Sequence, residues 1–251
     1  MAKWSEIEIP TADGTVDALL ARPETEVPLP GVIVLTDALG MRQAYADLSK
    51  RIADLGYVVL TPNIFYRTTK PPVFDFEPDF PSERTMNRFR ELVGPLTPDA
   101  MVRDGSAYID FLAAQPLVSA GPMGVVGFCF TGQFALRMAA ARPDRIDAAA
   151  SFHGGGLVTD TDQSPHLVLP QVKASLYFGH AMNDQSMPAE AIEKLGGALK
   201  AWGGAYENET YDGALHGWMV PGRVYHQEQA ERGFAKLMAL FDSALLSSVA
   251  A

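Results

Sequence analysis

Four short apolar runs, at positions 31–36, 57–61, 123–127 and 174–178, most narrowly constrain what this chain can fold into. Each is rich in β-branched and aromatic residues without polar alternation, the pattern of a strand buried on both faces. Between them the apolar period lengthens to that of a helix. Tyr45, Leu48, Ile52 and Leu55 share one face and stop at Gly56, a residue suited to a left-handed cap. Thr97-Pro98-Asp99 opens another helix, with a capping hydroxyl, proline at the first helical position and an acid at the positive end of the dipole. Val102, Ile109 and Leu112 then face the core. Further helices are expected over 130–141 and 188–202, and near the C-terminus, where Phe234, Leu237, Phe241 and Leu245 share a face. Alternation of this kind specifies an α/β fold, with a mostly parallel central sheet and helices on both of its faces. Ahead of it, segments 3–10 and 15–22 flank the turn Ala12-Asp13-Gly14 and predict an antiparallel hairpin at one edge. A chain of 251 residues, 47% of them hydrophobic, can build this as a single domain over 1–251.

One stretch breaks the rhythm. Over 63–97, Pro71, Pro72, Pro78 and Pro81 are interleaved with Phe74, Phe76 and Phe80, so a regular crossover helix cannot run throughout. It reads as a cap or pocket wall, or as a plain surface excursion.

The 20 Lys and Arg are scattered in a chain of formal net charge −10, which lacks the basic footprint that nucleic acid or an anionic membrane requires. No apolar signal region marks the N-terminus. The single cysteine excludes an internal disulfide and fits a reducing compartment, so the expectation is a cytoplasmic protein, monomer or small homo-oligomer, without nucleic-acid or membrane partners.

That cysteine, Cys129, lies where the 123–127 run passes into a helical pattern through Gly127-Phe128-Cys129-Phe130-Thr131-Gly132. The arrangement is that of a nucleophile elbow, a sharp strand-to-helix turn that projects its central side chain at the strand's carboxyl end. The N-terminus of the following helix would favour the thiolate. Thr131 stands where the second glycine of the usual pattern would be, with Gly132 one residue later. The alternative is that Cys129 is a small buried hydrophobe between two phenylalanines.

An acid and a histidine follow in the order such an elbow requires. Asp184 lies in the loop after the 174–178 run, with Pro188 near the next helix start. His216 follows an alternating edge-like segment, 206–211. His216 would act as the base, and Asp184 would fix its tautomer. His153, before a triple glycine, reads first as a packing residue that could border the pocket. His166, His180 and His226 read as loop or surface residues. No metal-ligand or phosphate-loop spacing occurs, so no cofactor and no metal is expected.

These residues resemble the dienelactone hydrolase family, whose members carry a Cys-Asp-His triad on an α/β-hydrolase fold. The likeness rests on the Gly127–Gly132 motif, on Asp184 with Pro188, on Leu215-His216-Gly217, and on Thr36-Asp37-Ala38-Leu39-Gly40 after the first long strand. It implies an oxyanion hole formed by the backbone N–H groups of Ala38 and Phe130. It also implies that Asp37 stands where the family usually has a glutamate that pairs with the resting thiol. Asp37 as a turn cap is the other reading. A family arginine shortly after the histidine is matched here by Val220. Arg84, Arg88 and Arg223, with Trp218, are the remaining substrate-binding candidates.

The expected function is cysteine-dependent hydrolysis of a carboxylic ester or lactone through a thioester. The alternative is a catalytically inactive ligand-binding protein on the same fold. A redox sensor ranks last, because no resolving cysteine exists in the chain.

Overall fold

The computed structural model describes residues 1–246. The apolar runs form the strands expected of them: β3 (Gly31–Leu35), β4 (Val58–Pro62), β5 (Met123–Phe128) and β7 (Ser175–Ala181). The first two strands, β1 (Lys3–Thr11) and β2 (Gly14–Arg22), make the antiparallel hairpin. With β6 (Ile146–Phe152) and β8 (Tyr206–Tyr211) they complete an eight-stranded sheet in the order β1-β2-β4-β3-β5-β6-β7-β8. The β2/β4 pairing is antiparallel, and every pairing from β4 through β8 is parallel.

Side-chain alternation along the strands divides the core into two layers. Val32, Val34, Val126, Phe128, Ala150 and Phe152 face one way, towards α1 (Gln43–Ala53) and α6 (Gln227–Phe241). Ile33, Leu35, Leu60, Val125, Ala149 and Phe178 face the other, towards α2 (Glu83–Val93), α3 (Pro98–Ala113), α4 (Gly132–Ala141) and α5 (Ala189–Trp202). Because each inner strand meets helices on both faces, it needs apolar residues at odd and even positions alike.

Two local expectations change. Helix α1 stops at Ala53, so Leu55 lies beyond it and is exposed, while Ser49 takes a buried position on the helix. Val102 is only half-buried, and Met101 and Tyr108 supply the apolar face of α3 beside Ile109 and Leu112. The Thr97 hydroxyl caps α3 by accepting from the Ala100 N–H, as its sequence predicts.

The 63–97 stretch contains α2 and sends Phe65, Val73, Phe74 and Leu92 into the core. Its rings also make a chain of contacts: Phe76 to Phe74, Phe74 to Phe80, Phe80 to Phe89, and Phe89 to Phe130, the residue after Cys129.

Strand β3 lies between β4 and β5, so the connections leaving β3 and β5 diverge to opposite sides. Such a switch point opens a crevice at the carboxyl ends of the strands, the usual ligand position in open α/β sheets.

Candidate active site

Cys129 leaves the carboxyl end of β5 with φ 59°, a left-handed conformation that costs energy for a cysteine. Close packing around the turn holds it there. A Cβ on Gly127 would lie 2.1 Å from the Thr131 carbonyl oxygen, so the backbone can double back only over a glycine. Thr131 is fully buried, and its hydroxyl accepts from the Phe128 N–H at 2.8 Å. Its own proton has the carbonyls of Phe128 and Leu35 as acceptors, at 2.8 and 3.1 Å. The residue at the usual glycine position therefore ties the turn together and links it to β3. Gly132, one residue later, is needed for a different reason: a Cβ there would sit 2.1 Å from the Ser151 hydroxyl. Gly127→Ala is expected to destabilise the fold by about 3 kcal/mol, because the clash is with backbone that cannot give way. A urea midpoint equal to that of the wild type would show that the turn accommodates a side chain.

Pairing of β7 with β8 runs to Ala181 and Tyr211, and the Met182 N–H then donates to the Ala214 carbonyl. The loops that follow the two strands are thus held together, which brings Asp184 to His216. Asp184 Oδ1 accepts from both the N–H and the hydroxyl of Ser186, at 2.8 and 2.7 Å. Its Oδ2 lies 2.6 Å from His216 Nδ1, and His216 Nε2 lies 3.1 Å from Cys129 Sγ. The Ser186 hydroxyl is also 3.2 Å from His216 Nδ1, which makes it a fourth member of the constellation. Sequence reasoning missed it, since a serine in an acidic turn looks like any other loop residue.

Burial opposes a charge on His216, but hydrogen bonds to Asp184 and Cys129 push its pKa up to about 10. Burial likewise opposes ionisation of Asp184, yet hydrogen bonds from His216 and Ser186, with the imidazolium charge, hold its carboxyl below the usual range. At neutral pH a cationic imidazole therefore stands between a carboxylate and the sulfur.

His153 is also at the centre. It follows β6 at φ 41°, is buried, and accepts the Cys129 N–H on Nδ1 at 3.1 Å. Its ring centroid lies 5.2 Å from that of His216. A cavity of about 530 Å³ lined by Trp4, Glu8, Arg42 and Lys70 holds no cysteine or histidine. Chemistry, not concavity, locates the candidate site.

A sequence model of the dienelactone hydrolase family matches residues 16–245. The chain belongs to this family. A protein from Synechocystis sp. named "Putative carboxymethylenebutenolidase" is 27% identical over 247 residues, covering 97% of this chain and 98% of that one. A crystal structure titled "Putative Dienelactone Hydrolase", from Klebsiella pneumoniae, superposes with a TM-score of 0.85 at 25% identity, covering 96% and 98% of the two chains. The dienelactone hydrolase of Anabaena variabilis shares the fold, with a TM-score of 0.68 at 15% identity over 97% of this chain and 99% of that one.

In this dienelactone hydrolase family member several nominated residues stand apart from the sulfur. Asp37 does not bond the thiol. Its carboxylate receives a two-pronged contact from Arg42, at 2.7 and 2.9 Å, and the Leu39 N–H at 2.9 Å, so it caps its own turn. A side chain one methylene shorter than glutamate reaches its local partners first. Trp218 is fully buried, stacked on Tyr211 with centroids 4.2 Å apart, and belongs to the core behind His153. Val220 is buried as well. Arg223 is exposed and paired with Asp79, Arg84 lies over the Phe76 ring, and Arg88 bonds the Val73 carbonyl and Glu91. Ala38 is buried between two engaged amides: the Asp37 N–H donates to the Tyr45 hydroxyl, and the Leu39 N–H to Asp37. Among the described residues, no helix is long and apolar enough to cross a membrane.

Proposed function

We propose that this protein hydrolyses carboxylic esters or lactones with Cys129 as nucleophile. The observation that carries the reading is the continuous chain Asp184 Oδ2, His216 Nδ1, His216 Nε2, Cys129 Sγ, with separations of 2.6 Å and 3.1 Å at its two contacts. A cationic imidazole beside the sulfur favours the nucleophilic thiolate. The sulfur attacks the carbonyl carbon, and the oxyanion is received by the N–H groups of Ala38 and Phe130. The Cys129 N–H is unavailable for this, being taken by His153. His216 gives its proton to the departing alkoxide, leaving a thioester. It then takes a proton from water, which attacks the thioester and releases the acid and the thiolate.

Sulfur is a good leaving group, so the tetrahedral intermediate partitions forward only when the alcohol leaves at least as readily. Activated esters and strained lactones are therefore the favoured substrates. Neutral substrates suit the site better than carboxylates, because Arg42, Arg88 and Arg223 already have acidic partners and Arg84 lies on a ring. The ring series ending at Phe130 offers an apolar wall for an aryl or acyl group. A catalytic thiol also suits a reducing compartment such as the cytoplasm.

The test follows release from p-nitrophenyl acetate and a lactone panel, before and during alkylation with iodoacetamide. Turnover should fall in step with modification of the single cysteine, and neutral lactones should be cleaved faster than those bearing a carboxylate. Full activity after complete alkylation would remove the mechanism. An unreactive thiol with no turnover would leave the ligand-binding alternative.

A further inference from the structure

Glycines 154–156 and His153 form a turn that meets Cys129, the Ser186 loop and the His216 ring. The Cys129 N–H donates to His153 Nδ1 at 3.1 Å, and the Cys129 carbonyl accepts from the Gly155 N–H at 3.2 Å. Both backbone groups of the nucleophile are therefore held by one turn. The same turn reaches the acid loop, because the Gly156 N–H donates to the Ser186 carbonyl at 2.8 Å. A Cβ on Gly155 would lie 2.9 Å from the Ser186 hydroxyl and 3.9 Å from His216 Cε1. The turn is anchored in the sheet by the His153 N–H, which donates to the Gly179 carbonyl of β7 at 2.7 Å.

We infer that the 153–156 turn is a clasp that sets the nucleophile against its base, and that His153 is a positioning residue for Cys129. The inference rests on the reading of Cys129 as the nucleophile. The backbone of Cys129 occupies a left-handed conformation that a cysteine has little intrinsic preference for. Two hydrogen bonds to one turn, itself anchored to β7, select that conformation and so set the sulfur at hydrogen-bond distance from His216 Nε2. Accepting an N–H on Nδ1 requires an uncharged ring with its proton on Nε2. The surroundings keep the ring uncharged: it is buried among Phe128, Trp218 and His216, and burial, with the like charge of His216, pushes its pKa well below the ordinary value. A protonated ring would surrender the Cys129 N–H and place a second cation beside the imidazolium.

The test compares His153→Asn with His153→Phe. Asparagine Oδ1 can occupy the place of Nδ1 and tolerates a left-handed backbone, whereas phenylalanine fills the space without an acceptor. His153→Phe should lower kcat on p-nitrophenyl acetate about 100-fold with KM within about twofold, the scale expected for a misplaced reacting group. It should also slow alkylation of Cys129, and His153→Asn should recover most of both. Hydrogen exchange of the Cys129 amide, read by NMR, should accelerate in His153→Phe and stay slow in His153→Asn. Wild-type kcat and amide exchange in His153→Phe would overturn the clasp. The exchange measurement needs no turnover. If the wild type cleaves nothing and Cys129 does not alkylate, the proposed function fails, while the amide still reports whether His153 holds it.

Discussion

Cys129→Ala is expected to reduce ester turnover by at least about 10⁴-fold at unchanged circular dichroism, as removal of a nucleophile does when its base and oxyanion donors remain. His216 Nε2 faces the sulfur at 3.1 Å, and in the variant it would face a methyl group. Water could still occupy the space and be activated by His216, so a small residual rate is compatible with the mechanism. Cys129→Ser separates two contributions. It restores an atom able to form the covalent bond, but a hydroxyl is far harder to ionise than a thiol, and oxygen is smaller than the sulfur that the site accommodates. Serine should therefore recover only part of the loss. Mass spectrometry of the wild type during turnover should reveal an acylated protein, and Cys129→Ala should never acquire that mass. Undiminished turnover by the alanine variant would transfer the chemistry to water or to another residue.

His216→Ala should produce the second large loss and a diagnostic change with pH. In the folded protein the imidazole keeps its proton up to about pH 10. The sulfur is therefore met by a cation over the whole neutral range, and removing that cation should slow iodoacetamide alkylation at pH 7 by about 10- to 100-fold. The gap between wild type and variant should narrow as pH rises. A thiol without a cationic partner ionises by itself above roughly pH 8.5, while the wild-type imidazole gives up its proton near 10. Turnover in His216→Ala should not recover at high pH to the same degree, since the leaving alkoxide and the attacking water still lack a proton carrier. Equal alkylation rates for the two proteins at pH 7 would mean that His216 does not influence the thiol.

Much of this protein could be read from sequence because the relevant signals are local. Apolar runs in β3, β4, β5 and β7 announce strands covered on both faces, and the helical period returns between them. The hairpin turn at Asp13-Gly14, the hydroxyl cap at Thr97 and the proline before α5 are each decided within a few residues. Chain order also nominated Cys129, Asp184 and His216, because an elbow and two strand-end loops leave few alternatives. Even β6 was harder to read: its run of Ala148, Ala149 and Ala150 has weak strand character, and its place between β5 and β7 makes it a strand.

Partner choice among polar groups was decided by tertiary structure alone. Asp37 offers a carboxylate just after β3, but Arg42 and the Leu39 N–H lie within its short reach. Trp218 follows His216 closely in sequence, yet the turn between them sends it into the core against Tyr211. Ser186 and His153 looked ordinary because their partners come from other strands: His153 meets Cys129 across 24 residues, and Ser186 meets His216 across 30. Periodicity and turn chemistry belong to neighbours along the chain, so the sequence determined the layers and the candidate residues. Hydrogen-bond geometry depends on ångström-scale placement of distant backbones, and only the packed sheet decided which candidates meet and what holds them.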